Sequence, residues 1–329
     1  GGDKDEIYLC ACRNFLRIFP QVLRVIGASP VAHKSFIKDR DINAEFLNRT
    51  DCYLPKATSL RVSKLGYYSE EQEQKFINFN SLKDYLEIIK YYINVPNKRF
   101  KEIETELTNP KQINSGTIQM ESELYNHIRP KGEFTTNERQ YNQLKKGGIN
   151  YLELRSIDLN PYTAYGISQI EIEFLELLSI YCILCGDEKI DPVEEIKIKE
   201  NIRRASESGQ DCNLICSFEK GDAEKNIKAL TQELLESLES LSNAIGLKES
   251  HKNMFKEFYR RNEVPLSTQI IDDLSNNSIV NFISSKSKKQ NLNLSKEFLK
   301  KMFLEAKTSK KEYLDQQNKD KIDFETFLE

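Results

Sequence analysis

Long apolar runs are missing from this chain. The longest nearly apolar stretch, around Leu177 to Cys185, falls well short of the roughly 20 residues that a bilayer-spanning helix needs. No charged-then-apolar leader stands at the start either. Charge of one sign is equally scarce: 48 Lys+Arg stand against 51 Asp+Glu, a formal net charge of -3 over 329 residues. A global basic field that would gather nucleic acid or anionic lipid is thereby excluded. A soluble, cytoplasmic protein is expected, with no nucleic-acid or membrane partner.

Phosphate-cradling glycine loops do not occur. Neither GxxxxGK[S/T] nor GxGxxG can be found, so a nucleotide held by a P-loop is out, and "KKGG" at Lys145 to Gly148 reads as a turn. The chain has 3 histidines. None of His33, His127 and His251 stands in a nucleophile context of the Ser/His/Asp kind, and His127 is expected at the surface near a strand end. The 7 cysteines are odd in number and scattered, which is no disulfide framework. The Cys182-x-x-Cys185 pair sits in "LLSIYCILCG" with no second pair at finger spacing, and reads as two buried small hydrophobes, as do Cys10 and Cys12. An initiator Met is lacking too, and a helical apolar pattern begins almost at once; an upstream part is expected to be missing.

What is present suggests a mixed chain. Gly27 closes a first helical pattern, and Ser29-Pro30 reads as the N-cap and first position of another. Ser81 with Asp84 opens a helix that Pro96 stops. Two strands are expected in "TIQMESELYNHIRP" and "NYLELRSID", as antiparallel neighbours. From Ser168 onward nearly everything is helical: Ile170 to Cys185 ended by Gly186, Asp222 to Gly246, Lys252 to Arg261, Leu266 to Leu274 and Leu294 to Ala306. "SSKSKKQNLN" reads as a solvated loop. The length allows a large core in one big domain or two smaller ones.

The chemistry concentrates in the two strands. Alternation places Glu153 and Arg155 on one face of "YLELRSIDLNP", and Gln119, Glu121, Glu123 and Tyr125 on one face of "IQMESELY". Paired, the strands would present Glu121, Glu123, Glu153 and Arg155 to one space, which is how oxygen ligands for Mg²⁺ and a cation for phosphate are held together. A solvent-washed face with compensating charges explains the same pattern, and pattern alone leaves both readings open. "TSLRVSKLGYY" adds Arg61 and Tyr67 around Gly66, where an Arg fork suits a carboxylate.

"RNFLRIFPQVLRVIGASPV", "TSLRVSKLGYY", "QMESELYNHIRPK" and "GGINYLELRSIDLNPY" resemble, in order and spacing, the proteobacterial type of glutamate-cysteine ligase. The likeness is close from Arg13 to about Cys185 and loose beyond. It implies an α+β, glutamine-synthetase-like fold: part of an antiparallel catalytic sheet with substrate loops over residues 1-165, then a helical portion of the same catalytic unit over 166-329. It implies ATP-dependent joining of the γ-carboxylate of L-glutamate to L-cysteine through an acyl phosphate, with Mg²⁺ (Mn²⁺ as an alternative) and a monomeric enzyme. By the same resemblance Glu153 is a metal ligand, Arg155 the phosphate-stabilising cation, Arg61 the holder of the cysteine carboxylate, and Tyr67 and Tyr125 line the cysteine pocket. Glu121 and Glu123 match acidic positions without a firm role. By the same resemblance most of the family's acidic metal ligands and a metal-binding histidine belong to an upstream segment that is expected to be missing here. A rival reading from another class is a non-catalytic fragment or helical interaction protein that keeps the scaffold; five retained polar groups of these types speak against it.

Overall fold

The computed structural model describes residues 2–37, 44–66, 68–104, 112–133, 138–216, 223–274, 277–289 and 295–319. In chain order its elements are α1 (Gly2–Ile26), β1 (Val31–His33), β2 (Glu45–Phe46), β3 (Asp51–Tyr53), α2 (Leu82–Asn94), α3 (Lys98–Glu104), β4 (Ile128–Lys131), α4 (Gln140–Gly147), β5 (Tyr151–Leu154), α5 (Gln169–Leu184), α6 (Pro192–Ser208), β6 (Asn213–Ile215), β7 (Glu224–Asn226), α7 (Ile227–Ala244), α8 (Lys252–Glu263), α9 (Leu266–Leu274), α10 (Ile279–Lys289) and α11 (Lys296–Lys319). The class is α+β, mostly helical with small antiparallel sheets.

The organising element is α1, which packs against α5, α6, α7, α8 and β4. From Leu9 to Leu16 it is buried all round, as a helix enclosed by other helices must be. Its polar residues therefore need partners. Arg13, wholly buried, donates to the main-chain oxygens of Phe79 (2.8 Å), Asp187 (3.0 Å) and Glu188 (3.1 Å) and to Glu6 (2.7 Å). Arg24 does the same for the far end, reaching Asn262, Gly209 and Gln210. The two arginines use their several N–H groups to saturate loop carbonyls that helix packing leaves over.

Several local expectations hold because local chemistry decides them. Ser81 caps α2 by accepting from Asp84 N at 3.0 Å. Ser168 and Glu171 form a reciprocal capping box on α5, and Gly186, at φ +104°, ends it in a conformation other residues rarely adopt. Gly27 follows α1 where a Cβ would lie 2.5 Å from the Leu23 oxygen and 2.8 Å from Thr58 Cβ, so only glycine allows the chain to pass there.

Others are overturned. Ser29-Pro30 opens no helix: Ser29 bridges Ser59 in parallel fashion and the chain continues into β1. "KKGG" is the end of helix α4 rather than a free turn. Ser284 to Lys289 of the expected polar loop belong to α10, while residues 290–294 lie outside the described residues. Of the first expected strand, only Ile128 to Pro130 enters a ladder, as part of β4. Glu121–Glu123 form a 3-10 turn, so these two carboxylates do not share a strand face with Glu153. The reason is non-local. Glu121 is pulled to Arg139 (3.2 Å) and to the main-chain N–H of Tyr141 at the start of α4 (3.3 Å), and Glu123 accepts from Gln119 N. Cys182 is buried as expected, whereas Cys185 is exposed.

Candidate functional site

β4 and β5 pair antiparallel as expected, with Ile128 opposite Leu154, Arg129 opposite Glu153, Pro130 opposite Leu152 and Lys131 opposite Tyr151. The ladder runs one bond further, Arg155 N donating to the His127 oxygen at 2.9 Å. Glu153 is thereby fixed near the end of β5 with Arg155 just past it.

The Glu153 carboxylate is ringed by cations. Lys131 Nζ lies 3.3 Å from Oε2 and Arg155 Nη1 3.9 Å from it, yet Oε2 is shielded from water and accepts no hydrogen bond. Two neighbouring charges balance it without filling its lone pairs. Such an oxygen suits a hard divalent cation, but a single carboxylate is a small part of the six or more oxygens such ions take. Among the described residues no group of three or more His, Cys, Asp and Glu could hold a metal.

Arg61 comes to this place from a segment far away in sequence. Its Nη2 donates to the Arg155 main-chain oxygen at 2.6 Å, and its Nη1 lies 3.7 Å from Asp158 Oδ1. Asp158 in turn accepts from Ala28 N at 2.9 Å and Ser29 Oγ at 2.7 Å. Ser29 Oγ also meets Ser59 Oγ at 3.1 Å, and the Ser29 oxygen accepts from Leu60 N at 2.7 Å. Three segments, around Ser29, Ser59 to Arg61 and Arg155 to Asp158, are thus laced together. The Arg61 side chain remains 42% exposed, so part of its fork faces outward.

Tyr125 stands beyond the 3-10 turn, its N–H bonded to Gln72 Oε1 at 2.7 Å and its ring partly exposed. With His127, Val62, Ser63 and Leu124 it lines a cavity of about 390 Å³. Tyr67 lies outside the described residues. The expectation of a surface His127 is corrected: its ring packs on Phe19 at 4.8 Å and its Nδ1 bonds Ser156 Oγ at 2.7 Å. Burial, aided by the charge of Arg61, pushes its pKa down to about 4, so the imidazole is neutral at neutral pH. The thiols of Cys12 and Cys182 are pushed up by burial, which removes them as nucleophiles.

The structure brings Glu153, Arg155 and Arg61 into one neighbourhood, while Glu121 and Glu123 stand on a 3-10 turn with partners of their own. Ser29, expected as a helix cap, and His127, expected at the surface, belong to this neighbourhood together with Ser59 and Asp158, for which the sequence suggested no role. Ser29, Ser59 and Asp158 stand inside the segments "GASP", "TSLR" and "RSIDLNP" that carry the resemblance, and that placement was the available signal.

The sequence model of glutamate-cysteine ligase matches residues 2–205. The glutamate-cysteine ligase of Wigglesworthia glossinidia brevipalpis is 35% identical over 258 residues, covering 77% of this chain and 50% of that protein. That of Shewanella oneidensis is 33% identical over 254 residues, covering 76% and 48%. The chain therefore spans about half the length of the curated relatives it matches. A solved glutamate-cysteine ligase of Francisella tularensis, in complex with AMP, superposes over 98% of this chain and 66% of its own, with a TM-score of 0.88 at 22% identity. A bifunctional glutathione synthetase of Pasteurella multocida superposes with a TM-score of 0.58 at 21% identity, over 87% of this chain and 32% of its own. With its family match running through the segments that carry Arg61, Glu153 and Arg155, and its fold shared nearly end to end with a solved relative, the chain belongs to the glutamate-cysteine ligase family.

Proposed function

We propose that this chain forms part of the active site of an ATP-dependent ligase joining the γ-carboxylate of L-glutamate to the amine of L-cysteine. A carboxylate oxygen attacks the γ-phosphorus of ATP and the bond to ADP breaks. The cysteine nitrogen then attacks the acyl carbon, the C–O bond to phosphate breaks, and the amine gives up a proton to solvent. The products are γ-glutamylcysteine, ADP and phosphate.

The observation that carries the reading is the convergence of Glu153, Arg155 and Arg61 at the end of β5 in a chain of this family. The AMP in the Francisella relative supports a nucleotide as co-substrate. Transfer of a phosphoryl group needs chiefly positioning and neutralisation of charge. Arg155 supplies a fixed cation, and the outward part of the Arg61 fork offers two-point recognition of the cysteine carboxylate. Tyr125 bounds the cysteine side, a role in which the family resemblance also puts Tyr67. Glu153 is the residue through which this chain would hold Mg²⁺, or Mn²⁺, an ion that neutralises phosphate oxygens when bound.

Residues 1–165 act as part of the catalytic domain and 166–329 as a helical portion of the same unit. One buried core that contains residues of both spans, from Leu9 to Phe258, supports this division of labour. No helix of the described residues is long and apolar enough to cross a membrane, and the reading carries with it a cytoplasmic monomer.

The test is ADP release requiring both L-glutamate and L-cysteine, measured on this chain joined to the part of a full-length relative that it does not match. Release dependent on both amino acids is the expected result. Nucleotide turnover indifferent to cysteine, in a folded chimera, overturns the reading.

A further inference from the structure

The carboxylate of Asp158 is buried, with its side chain 2% exposed, and its two oxygens are treated differently. Oδ2 takes both hydrogen bonds, from Ala28 N and Ser29 Oγ. Oδ1 is shielded from water and accepts none; the nearest cation is Arg61 Nη1 at 3.7 Å. A buried carboxylate oxygen left without a hydrogen bond is costly, and a fold that only needed to tie residue 28 to residue 158 could do so with a neutral amide.

Arg61 shows the other half of the arrangement. A guanidinium has five N–H donors in one plane. One of them, on Nη2, is spent on the Arg155 oxygen at 2.6 Å, and Nη1 faces Asp158. Two oxygens on the inner side, one carrying a negative charge, set both the place and the plane of the fork. A single bond to a carbonyl would leave it free to rotate about that contact. Recognition of a carboxylate in two places depends on that plane, and a long side chain ordered in advance loses less freedom when its ligand arrives.

We propose that Asp158 is a positioning residue that holds Arg61 in the orientation in which it receives the carboxylate of the amino-acid acceptor. The proposal rests on the reading of Arg61 given above, and its test keeps the two apart. Asp158→Asn can keep its one oxygen for Ala28 and Ser29, and then turns an amide NH2 group, a donor in place of a charged acceptor, toward Arg61. Ser29→Ala weakens the tie from the opposite side and leaves the negative charge in place.

The experiment has two arms, both on this chain. In the first, the ¹⁵N relaxation of the Arg61 Nε–H group is followed, its resonance assigned by its loss in Arg61→Lys. In the wild type and in Ser29→Ala it is expected to be as ordered as the backbone, and in Asp158→Asn to become mobile on the nanosecond scale. In the second, calorimetry measures L-cysteine and cysteamine, which lacks the carboxylate. Asp158→Asn is expected to weaken L-cysteine by about tenfold and to leave cysteamine unchanged. An Arg61 that stays ordered in Asp158→Asn overturns the proposal, as does equal weakening of the two ligands. If Arg61 loses order but neither ligand binds even to the wild type, the positioning role stands and the assignment of Arg61 to cysteine is what fails.

Discussion

Arg61 Nη2 donates a 2.6 Å hydrogen bond to the main-chain oxygen of Arg155, across 94 positions of sequence. The bond joins the residue proposed to grip the acceptor's carboxylate to the strand end that presents the proposed phosphate-stabilising cation. The Arg61 side chain is thus placed by the backbone at the end of β5 and not by its own loop alone.

Arg61→Lys tests the fork. Lysine keeps the charge but offers a point ammonium that cannot span two carboxylate oxygens and the Arg155 carbonyl together. In the chimera described above, the KM for cysteine is expected to rise by about tenfold or more while that for ATP stays within about twofold. Initial rates with each substrate varied in turn decide this, and equal effects on the two would make Arg61 a structural residue.

Glu153→Gln removes the charge from an oxygen that two cations face and no hydrogen bond satisfies. Unfolding of the isolated chain is expected to change little, because the side chain is 39% exposed and exposed pairs contribute little to stability. Turnover in the chimera should fall by about a hundredfold, with the rate needing more Mg²⁺ to saturate. A Mg²⁺ dependence identical to that of the parent would remove Glu153 from the metal.

His127 makes stability depend on pH in a window that the direction of its shift defines. Its folded-state pKa lies near 4, below the ordinary 6.5. The unfolded chain therefore binds the proton more readily, and stability present above pH 6.5 is lost as pH falls toward 4. The loss attributable to this residue is on the order of 1 to 3 kcal/mol, the upper figure being the full shift converted and the lower allowing for its partial exposure. Urea midpoints at several pH values in this window, compared with those of His127→Gln, check it; a variant with the same slope as the parent would refute the assignment.

The buried pair Glu171 and Arg261 bonds at 2.7 Å with both side chains nearly inaccessible. Burial alone would raise the Glu171 pKa, but the charge and bonds of Arg261, with bonds from Ser168 and Asn160, hold it below 4.5. Its contribution is thus present above the unfolded value and fades as pH falls through the folded one. Arg261→Ala leaves that carboxylate buried without its cation and is expected to cost about 3 to 5 kcal/mol in denaturant unfolding. Glu171→Gln combined with Arg261→Met should cost clearly less than Arg261→Ala, since no lone charge remains.

Where one turn of chain carries the decision, the amino-acid order by itself determined the outcome. Ser81 with Asp84, Ser168 with Glu171 and Gly186 with its positive φ set helix ends through contacts of a few residues. The two-residue period of "YLEL" likewise placed Glu153 on a strand that pairs with Ile128–Lys131, and the distinctive segments indicated the family. Alternation failed at "IQMESELY" because a period of two says how side chains would point if the chain were extended, and nothing about whether it is. Arg139 and the start of α4 draw Glu121 into a turn instead. Only the tertiary structure could decide that Ser29, Ser59, Arg61 and Asp158 meet, or that His127 lies against Phe19. Those contacts join segments far apart along the chain, and their formation depends on α1 packing among α5 to α8, a many-body burial that no local pattern of residues encodes.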